Sequence, residues 1–189
     1  MRLVLATANP DKVAEIAALL TEVELSPRPP ELPEVEESGR SLEANARLKA
    51  RAVVEATGEP AVADDTGLEV AALGGAPGVR SSRYAGEGAS YADNVAKLLG
   101  ALEGVHDRRA RFRTVALARF PDGDEVLAEG MVDGVITDEP RGDEGFGYDP
   151  VFMPDGGGGR TFGEMPSEQK NTLSHRARAF QGLATMLGR

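Results

Sequence analysis

The sequence predicts an α/β fold, built as one domain over residues 1–189. Apolar, strand-like runs alternate along the chain with helical patterns, beginning with a strand, a short loop and a helix in the first 20 residues. A β-rich region follows at 111–136, and its central Pro-Asp-Gly is typical of a hairpin turn. With 189 residues, 41% of them hydrophobic, the chain can bury a proper core.

The composition excludes several classes of protein. A net charge of -10 argues against general binding to nucleic acid or to anionic membranes, which require a basic surface. Without cysteine there is neither a disulfide framework nor a thiolate metal site. The apolar run at 1–6 is too short for a signal peptide, and no stretch has the length of a membrane span. We therefore expect a cytoplasmic protein with neither nucleic acid nor membrane as partner.

The first strand and helix form a candidate anion site. Leu3 to Ala6 suits a buried strand, Asn9 a helix N-cap and Pro10 the first helical position. A helix N-terminus presents backbone N–H groups and a positive dipole end to an anion. Lys12 opposes that dipole, which is easier to understand if an anion binds nearby. A plain strand-to-helix connection with a solvated lysine explains the pattern equally well.

The stretch from Ala61 to Val70 predicts a short buried strand, a sharp acidic turn and a second strand. Asp64 and Asp65 stand where the apolar run stops, and Gly67 allows the backbone to turn. Carboxylates at a strand end cost solvation unless a cation or donors meet them, and such oxygen ligands suit magnesium or manganese. Taken alone, the stretch is better explained as an ordinary surface turn.

The middle of the chain contains a loop and two capped helices. Residues 26–39 are proline-rich and acidic, which is typical of a solvated loop. Ser41 is placed to cap an alanine-rich helix over 42–57, with Lys49 on its half-buried stripe. Ser90 opens a capping-box pattern for a further helix. These patterns predict secondary structure and do not by themselves indicate a chemical function.

The hairpin is expected to have one irregular arm. Its first arm is β-rich over 111–120, and its second covers 125–136. Gly130 and Gly134 interrupt the second arm, so we expect that strand to be broken there by a bulge or a strong bend.

Two stretches near the C-terminus are unusual. In the run 144–152, two glycines flank Phe146, so the backbone can approach a ligand closely and the ring can serve as a stacking platform for a base. A turn with a core aromatic is the commoner explanation of such a pattern. Ser174 is placed to cap the last helix, which begins with His175 and Arg176, where positive charge is disfavoured.

Six stretches, taken in order, carry a resemblance to a known family. They are Thr7–Lys12, Glu43–Ala50, Ala63–Leu68, Leu73–Val79 with Ser82–Gly86, Phe146–Pro150 and Lys170–Arg176. Together they make the chain resemble the inosine triphosphate pyrophosphatase family from about residue 3 to residue 180. The resemblance implies an elongated α/β fold with a long mixed β-sheet, flanking helices, two lobes and a central cleft, usually assembled as a homodimer.

The resemblance also implies an activity. Members of the family hydrolyse non-standard purine nucleoside triphosphates (dITP, ITP and XTP) to the monophosphate and pyrophosphate, and they require Mg²⁺. A metal held by acids would reconcile a negative chain with an anionic substrate, because few lysines are then needed. Donors such as Arg176 would pair with the 6-oxo group of the base and reject adenine.

Site residues follow from the same resemblance. The triphosphate is expected on Thr7, Ala8, Asn9, Pro10, Asp11 and Lys12. Magnesium is expected on Glu36 and Asp65, with Asp65 also the proton acceptor and Lys49 a catalytic residue facing the phosphates. The remaining substrate contacts are expected from Thr66, Phe146, Gly147, Tyr148, Asp149, Lys170, His175 and Arg176.

Two positions depart from the family pattern. Thr66 stands where serine is common, and it keeps the hydroxyl. Ala44 stands where many members have glutamate, which removes one acid from the expected metal site unless Glu43 compensates.

Three other classes remain alternatives. A haloacid-dehalogenase-like phosphatase would use Asp64-Asp65 as a covalent acceptor, but it needs Asp-x-Asp after its first strand, where this chain has Thr7-Ala8-Asn9. A nucleotide sensor would bind without hydrolysis. A structural or interaction protein would leave the glycine-flanked Phe146 without a reason.

Overall fold

The structure, a computed structural model, describes residues 1–188 as a mixed β-sheet with five α-helices. The strands are β1 (Arg2–Leu5), β2 (Glu24–Ser26), β3 (Ala61–Val70), β4 (Pro77–Gly78), β5 (Arg109–Arg119), β6 (Glu125–Ile136) and β7 (Phe152–Pro154). The helices are α1 (Pro10–Leu19), α2 (Leu42–Thr57), α3 (Tyr91–Ala101), α4 (Ser167–Leu173) and α5 (His175–Leu187). None of these helices is long and apolar enough to cross a lipid bilayer.

The sheet has the order β2-β1-β3-β5-β6-β7, and β4 pairs with β3. Strand β1 runs parallel to both of its neighbours, β2 and β3. Strands β4 and β7 run antiparallel to β3 and β6. The predicted α/β class with a mixed sheet is therefore confirmed.

Local sequence signals set the boundaries of the helices. The Asn9 side chain caps α1 and Pro10 takes its first position, as predicted. Ser41 caps α2, and Gly58 ends that helix in the left-handed conformation. Ser90 forms the predicted capping box of α3. Each cap satisfies backbone groups that the first or last helical turn leaves without a helical partner.

The chain divides into two compact units, and each has its own hydrophobic core. The first unit contains Met1–Asp65, Thr114–Gly130 and the residues from His175 onward. Its core joins β1, α1 and α5 through Leu3, Ile16 and Phe180. The second unit contains Thr66–Arg113 and Met131–Ser174. Its core is rich in aromatic residues.

That second core is organised by stacked rings. Phe112 meets the edge of Phe152 at a ring-centroid distance of 4.7 Å, and Phe152 stacks on Phe162 at 5.5 Å. Such pairs add about 0.5–1.5 kcal/mol each beyond their buried area. The single domain over residues 1–189, the two lobes and the central cleft stay predictions.

The predicted acidic turn at Asp64–Gly67 is wrong, because β3 continues through it without interruption. Strand β3 lies between β1 and β5 in the sheet order, and it pairs with β1 at Ala61 and Val62 and with β4 at Leu68 and Glu69. Gly67 is absent from the glycines with positive φ among the described residues, so it makes no turn. Asp64 and Asp65 are both buried, and their charges are met by cations from elsewhere in the chain.

The second hairpin arm is not broken as expected, because β6 runs through both of its glycines. A bulge or strong bend within that strand stays a prediction. A Cβ atom at Gly130 would lie 2.0 Å from the carbonyl oxygen of His175 and 2.4 Å from the amide nitrogen of Ala179. A Cβ atom at Gly134 would lie 2.3 Å from the carbonyl oxygen of Met153. These glycines therefore serve close backbone approach by α5 and β7.

The Gly130 contact predicts a stability change. In Gly130→Ala the new methyl group would collide with the backbone of α5, which should lower the free energy of unfolding by at least about 1–3 kcal/mol. Gly100→Ala in α3 is the control, because a Cβ atom at position 100 would meet nothing within 4 Å. This substitution should raise the free energy of unfolding by up to about 1 kcal/mol. Urea unfolding of both variants measures the two values, and equal stabilities would contradict the packing argument.

Candidate active site

The candidate active site begins with the two neighbouring acids of β3. Successive side chains of a strand point to opposite faces of the sheet. Asp64 accordingly contacts residues of α1 and α5, whereas Asp65 contacts residues of α2. One uninterrupted strand thus gives two adjacent carboxylates different hydrogen-bond partners, although the charges of Lys12 and Lys49 act on both.

Asp64 is the centre of a buried ion network in the first unit. Both of its carboxylate oxygens lie 3.1 Å from Nζ of Lys12. Its Oδ2 also accepts hydrogen bonds from Nε and Nη2 of Arg176, at 3.3 and 3.2 Å. The Nη1 atom of Arg176 donates to Glu15 of α1 at 2.5 Å. The network links the first turn of α1 to the first turn of α5.

The same network explains how two cations occupy helix N-termini. Burial by itself would raise the pKa of Asp64, but the charges of Lys12 and Arg176 lower the pKa of that carboxyl far below its usual value. Burial lowers the pKa of Lys12 although Asp64 opposes this effect. Burial alone would lower the pKa of Arg176, but Asp64 and Glu15 raise it. Asp64 therefore stays ionised at neutral pH.

Asp65 is held from the opposite face by α2. Its Oδ1 accepts a hydrogen bond from Nζ of Lys49 at 3.0 Å, and its Oδ2 accepts one from Nδ2 of Asn45 at 3.1 Å. Lys49 also donates to Glu37 at 2.9 Å. Asn45 and Lys49 are four residues apart, so one helical face presents both donors.

The environment of Asp65 favours its acceptance of a proton. Burial raises the pKa of Asp65 above its usual value, although Lys49 and Lys12 act in the opposite direction. Burial alone would lower the pKa of Lys49, but Asp65, Asp64 and Glu37 raise it. The pair therefore combines a carboxylate of increased basicity with a lysine that remains protonated.

The loop before α1 differs in one respect from its expected anion-binding form. The side-chain oxygen of Asn9 accepts the backbone N–H groups of Asp11 and Lys12 at 2.9 and 3.3 Å. The N–H group of Asn9 itself donates to the Thr7 hydroxyl at 3.1 Å. In this structure the cap thus occupies N–H groups that were expected to face an anion, while the helix dipole and the Lys12 ammonium remain.

The acidic loop before α2 brings one glutamate, and not its neighbour, to Lys49. Glu37 is half-buried and contacts Lys49, whereas the Glu36 side chain is exposed. The loop is fixed by the hydrogen bond from Gly39 N to Asn45 Oδ1 at 2.8 Å. A Cβ atom at position 39 would lie 2.5 Å from that oxygen. Metal ligation by Glu36 stays a prediction.

The oxygen atoms around Asp65 are of a type that suits Mg²⁺, but they are few. Among residues 1–188, no group of three or more histidine, aspartate or glutamate side chains is arranged to hold a metal. Glu43, the possible substitute for the missing acid at Ala44, pairs instead with Arg47 at 2.8 Å on the exposed side of α2. A metal here would need ligands from the substrate as well as from the protein.

The second unit contains most of the residues predicted to recognise the nucleoside, whereas His175 and Arg176 belong to the first unit. Gly145 and Gly147 both have positive φ, and a Cβ atom at Gly145 would lie 2.1 Å from Oδ2 of Asp149. That oxygen accepts the backbone N–H of Phe146 at 2.8 Å and Nζ of Lys170 at 2.5 Å. The Lys170 ammonium also lies 5.0 Å from the centroid of the Phe146 ring.

Tyr148 has a structural task in this unit. Its hydroxyl donates to the carbonyl oxygen of Ser81 at 2.8 Å, and the Ser81 hydroxyl accepts the backbone N–H of Leu68 at 2.9 Å. Burial raises the pKa of Tyr148, with a smaller contribution from Tyr84. The phenol therefore stays protonated and anchors the Phe146 segment within the second unit.

The structure brings together many of the predicted site residues, although their roles stay predictions. In the first unit Asp64 joins Lys12 to Arg176, and Asp65 contacts Lys49. Three further residues take part that the sequence did not single out as site residues, namely Asn45, Glu15 and Glu37. The four-residue spacing between Asn45 and Lys49 could have identified Asn45 from the sequence, because it places both side chains on one helical face. No local signal distinguished Glu37 from Glu36 or pointed to Glu15.

The positions of several other predicted substrate contacts say less about their roles. Thr66 is half-buried on β3, and Ala8 and Pro10 are exposed beside the start of α1. His175 and Arg176 are both 2% exposed at the start of α5. Base recognition by Arg176 stays a prediction, since its guanidinium here donates to Asp64 and Glu15.

Comparison with known proteins decides the family. The sequence model of the Ham1 family matches residues 3–186. The chain belongs to the Ham1 family. This membership confirms the resemblance to the inosine triphosphate pyrophosphatases that the six sequence stretches carry.

Relatives of this Ham1 protein match along almost its whole length. A dITP/XTP pyrophosphatase of Geobacter sulfurreducens is 48% identical over 193 residues, which cover 99% of this chain and 96% of the relative. A dITP/XTP pyrophosphatase of Syntrophobacter fumaroxidans is 48% identical over 183 residues, which cover 94% of this chain and 78% of the relative. The structure of a HAM1 protein from Coxiella burnetii has a TM-score of 0.90 and 41% identity, covering 100% of this chain and 98% of that one.

The Asp64 network of this Ham1 protein predicts coupled stability effects. Asp64→Asn would leave Lys12 and Arg176 short of a buried negative charge, which should lower the free energy of unfolding by about 3–5 kcal/mol. The double variant Asp64→Asn/Lys12→Met should lose less unfolding free energy than the sum of the losses in the two single variants.

Urea unfolding of the four proteins in this cycle measures the coupling. Asp155→Asn is the matched control, because it makes the same chemical change at an exposed position. Additive losses would show that Lys12 and Asp64 do not stabilise one another.

Proposed function

We propose that this chain is a nucleoside triphosphate pyrophosphatase that hydrolyses dITP and XTP to the monophosphate and pyrophosphate. The observation that carries the proposal is the buried Asp65 carboxylate, held by Lys49 and Asn45. Membership of the Ham1 family supports it, as do the names of relatives 48% identical to the chain. ITP, which shares the hypoxanthine base of dITP, is expected to be a third substrate.

Charge balance supports a requirement for Mg²⁺. The first-unit charge cluster contains three cations, against four carboxylates. Its members are Lys12, Lys49, Arg176, Asp64, Asp65, Glu15 and Glu37. This balance gives a triphosphate no net positive charge to bind. Magnesium, held by Asp65 and Glu36 together with the substrate's phosphates, would neutralise phosphate charge.

The chain's own residues then have distinct tasks. Asp65 accepts the proton of the attacking water, and its increased basicity suits that task. Lys49 holds the Asp65 carboxylate and presents positive charge to the phosphates. Lys12 and the N-terminus of α1 bind the triphosphate chain, with Asp64 fixing the Lys12 ammonium.

The second unit supplies most of the residues for the nucleoside, and Arg176 of the first unit is a further candidate. Phe146 offers a ring on which a purine can stack. The Asp149 carboxylate accepts hydrogen bonds from both the Phe146 backbone and the Lys170 ammonium. These bonds hold the Phe146 ring and the ammonium in a fixed position relative to each other. A donor such as Lys170 or Arg176 would hydrogen-bond the 6-oxo group of hypoxanthine or xanthine and face the amino group of adenine unfavourably. Homodimeric assembly and a cytoplasmic location also belong to this proposal.

The proposal predicts a substrate preference and a metal requirement. With Mg²⁺, the purified protein should release pyrophosphate from dITP and XTP at least about 100-fold faster than from ATP, as expected where a mispaired buried donor rejects the wrong base. Addition of EDTA should stop the reaction, and excess Mg²⁺ should restore it. Assays that detect pyrophosphate and orthophosphate separately measure both the rate and the bond that is cleaved.

Three outcomes of this panel would contradict the proposal. Equal rates with dITP and ATP would remove the substrate specificity. Orthophosphate as the first product would indicate a phosphatase. Binding of dITP without turnover would favour a nucleotide sensor, the second candidate function.

Replacement of Asp65 predicts loss of catalysis. Asp65→Asn keeps the size of the side chain but removes the proton acceptor, so kcat for dITP should fall by about 100- to 10,000-fold. Asp155→Asn, at an exposed position, should retain wild-type kcat. Steady-state kinetics with circular dichroism as a check of folding separates the effects, and a folded Asp65→Asn within a few-fold of wild type would exclude Asp65 as the base.

A further inference from the structure

A second aromatic ring lies beside Phe146 in the second unit. The ring centroids of Tyr91 and Phe146 are 5.8 Å apart, with an angle of 41° between the ring planes. Tyr91 is 42% exposed, one of the few large hydrophobic side chains among residues 1–188 with that much accessible surface. An exposed aromatic next to a candidate base platform has apolar area left for a ligand to cover.

Helix capping fixes the position of Tyr91. It is the first residue of α3, directly after the N-cap residue Ser90. The Ser90 hydroxyl accepts the N–H of Asp93 at 3.1 Å, and the Asp93 carboxylate accepts the N–H of Ser90 at 2.9 Å. This capping box holds the backbone from which the Tyr91 ring projects.

The loop before α3 is tied to the same helix. Oδ1 of Asn94 accepts the backbone N–H of Ala85 at 2.7 Å, and its Nδ2 donates to the carbonyl oxygen of Ser82 at 3.1 Å. Asn94 is buried, so these hydrogen bonds are shielded from water. The start of α3 is therefore a rigid support for an exposed ring.

We propose that Tyr91 is a further base-contacting residue, whose ring extends the Phe146 platform so that the purine of a nucleotide packs against both. The inference rests on the proposed function, because it requires that the base stacks on Phe146. Its ligand class is a purine nucleotide, since the joined rings offer area for a bicyclic base. The phenolic hydroxyl adds a polar group to the ring.

Kinetics test the contribution of the ring. Tyr91→Ala should raise KM for dITP about 2- to 12-fold, the range expected for one aromatic contact, with kcat within about twofold of wild type. Tyr91→Phe retains the ring and should recover most of that loss. Met186→Ala, which removes a comparably exposed apolar side chain in the first unit, should leave KM unchanged.

Fluorescence gives a readout that does not depend on turnover. The chain has no tryptophan and three tyrosines, so its intrinsic emission comes from Tyr84, Tyr91 and Tyr148. Inosine monophosphate should change the emission of wild type and of Tyr84→Phe, and Tyr91→Phe should lose most of that change. Pyrophosphate, which has no base, should cause little change in any of the three proteins.

The two tests distinguish this inference from the proposed function. If the wild type fails to hydrolyse dITP, the proposed function is wrong, and the nucleotide titration still reports whether a purine reaches Tyr91. If the wild type is active but Tyr91→Ala has a wild-type KM, Tyr91 does not contact the base. Persistence of the full emission change in Tyr91→Phe overturns the inference even if Tyr91→Ala fails to fold.

Discussion

The first-unit site depends on two carboxylates that are adjacent in one continuous strand. Pleating directs Asp64 and Asp65 to opposite faces of the sheet, so neighbours in sequence acquire different partners and different pKa values. On one face, Lys12 and Arg176 keep Asp64 ionised. On the other, burial against α2 raises the pKa of Asp65 above its usual value. One carboxylate is thereby suited to hold cations in place and the other to accept a proton.

This arrangement explains why positive side chains are found at helix N-termini. Lys12 and Arg176 lie in the first turns of α1 and α5, where the helix dipole disfavours cations. Asp64 compensates both, and Glu15 adds a second partner for Arg176. Breaking such a buried network is costly because any remaining charge keeps its desolvation penalty. The two cations are thus held in place by carboxylates of the chain itself.

The second unit reaches a defined geometry by a different route. Two glycines with positive φ bring the Phe146 segment round the Asp149 carboxylate, which then fixes both the Phe146 backbone and Lys170. Tyr148 and Ser81 anchor that segment to β3 within the same unit. Here backbone freedom and hydrogen bonds set the position of the ring, whereas in the first unit ion pairs set the positions of the charges.

The sequence by itself determined what depends on neighbours along the chain. The caps at Asn9, Ser41 and Ser90, the buried first strand and the hairpin all follow from interactions within a few residues. The family motifs carried the candidate site residues as well. The acidic turn was mispredicted because the cations that allow Asp64 to be buried in a strand lie 52 and 112 residues away. The same limit applies to Glu37 and Glu36, because only the packing of the loop on α2 decides which of two adjacent glutamates reaches Lys49. Tertiary structure decides such contacts because burial and charge pairing join residues that local propensity cannot connect.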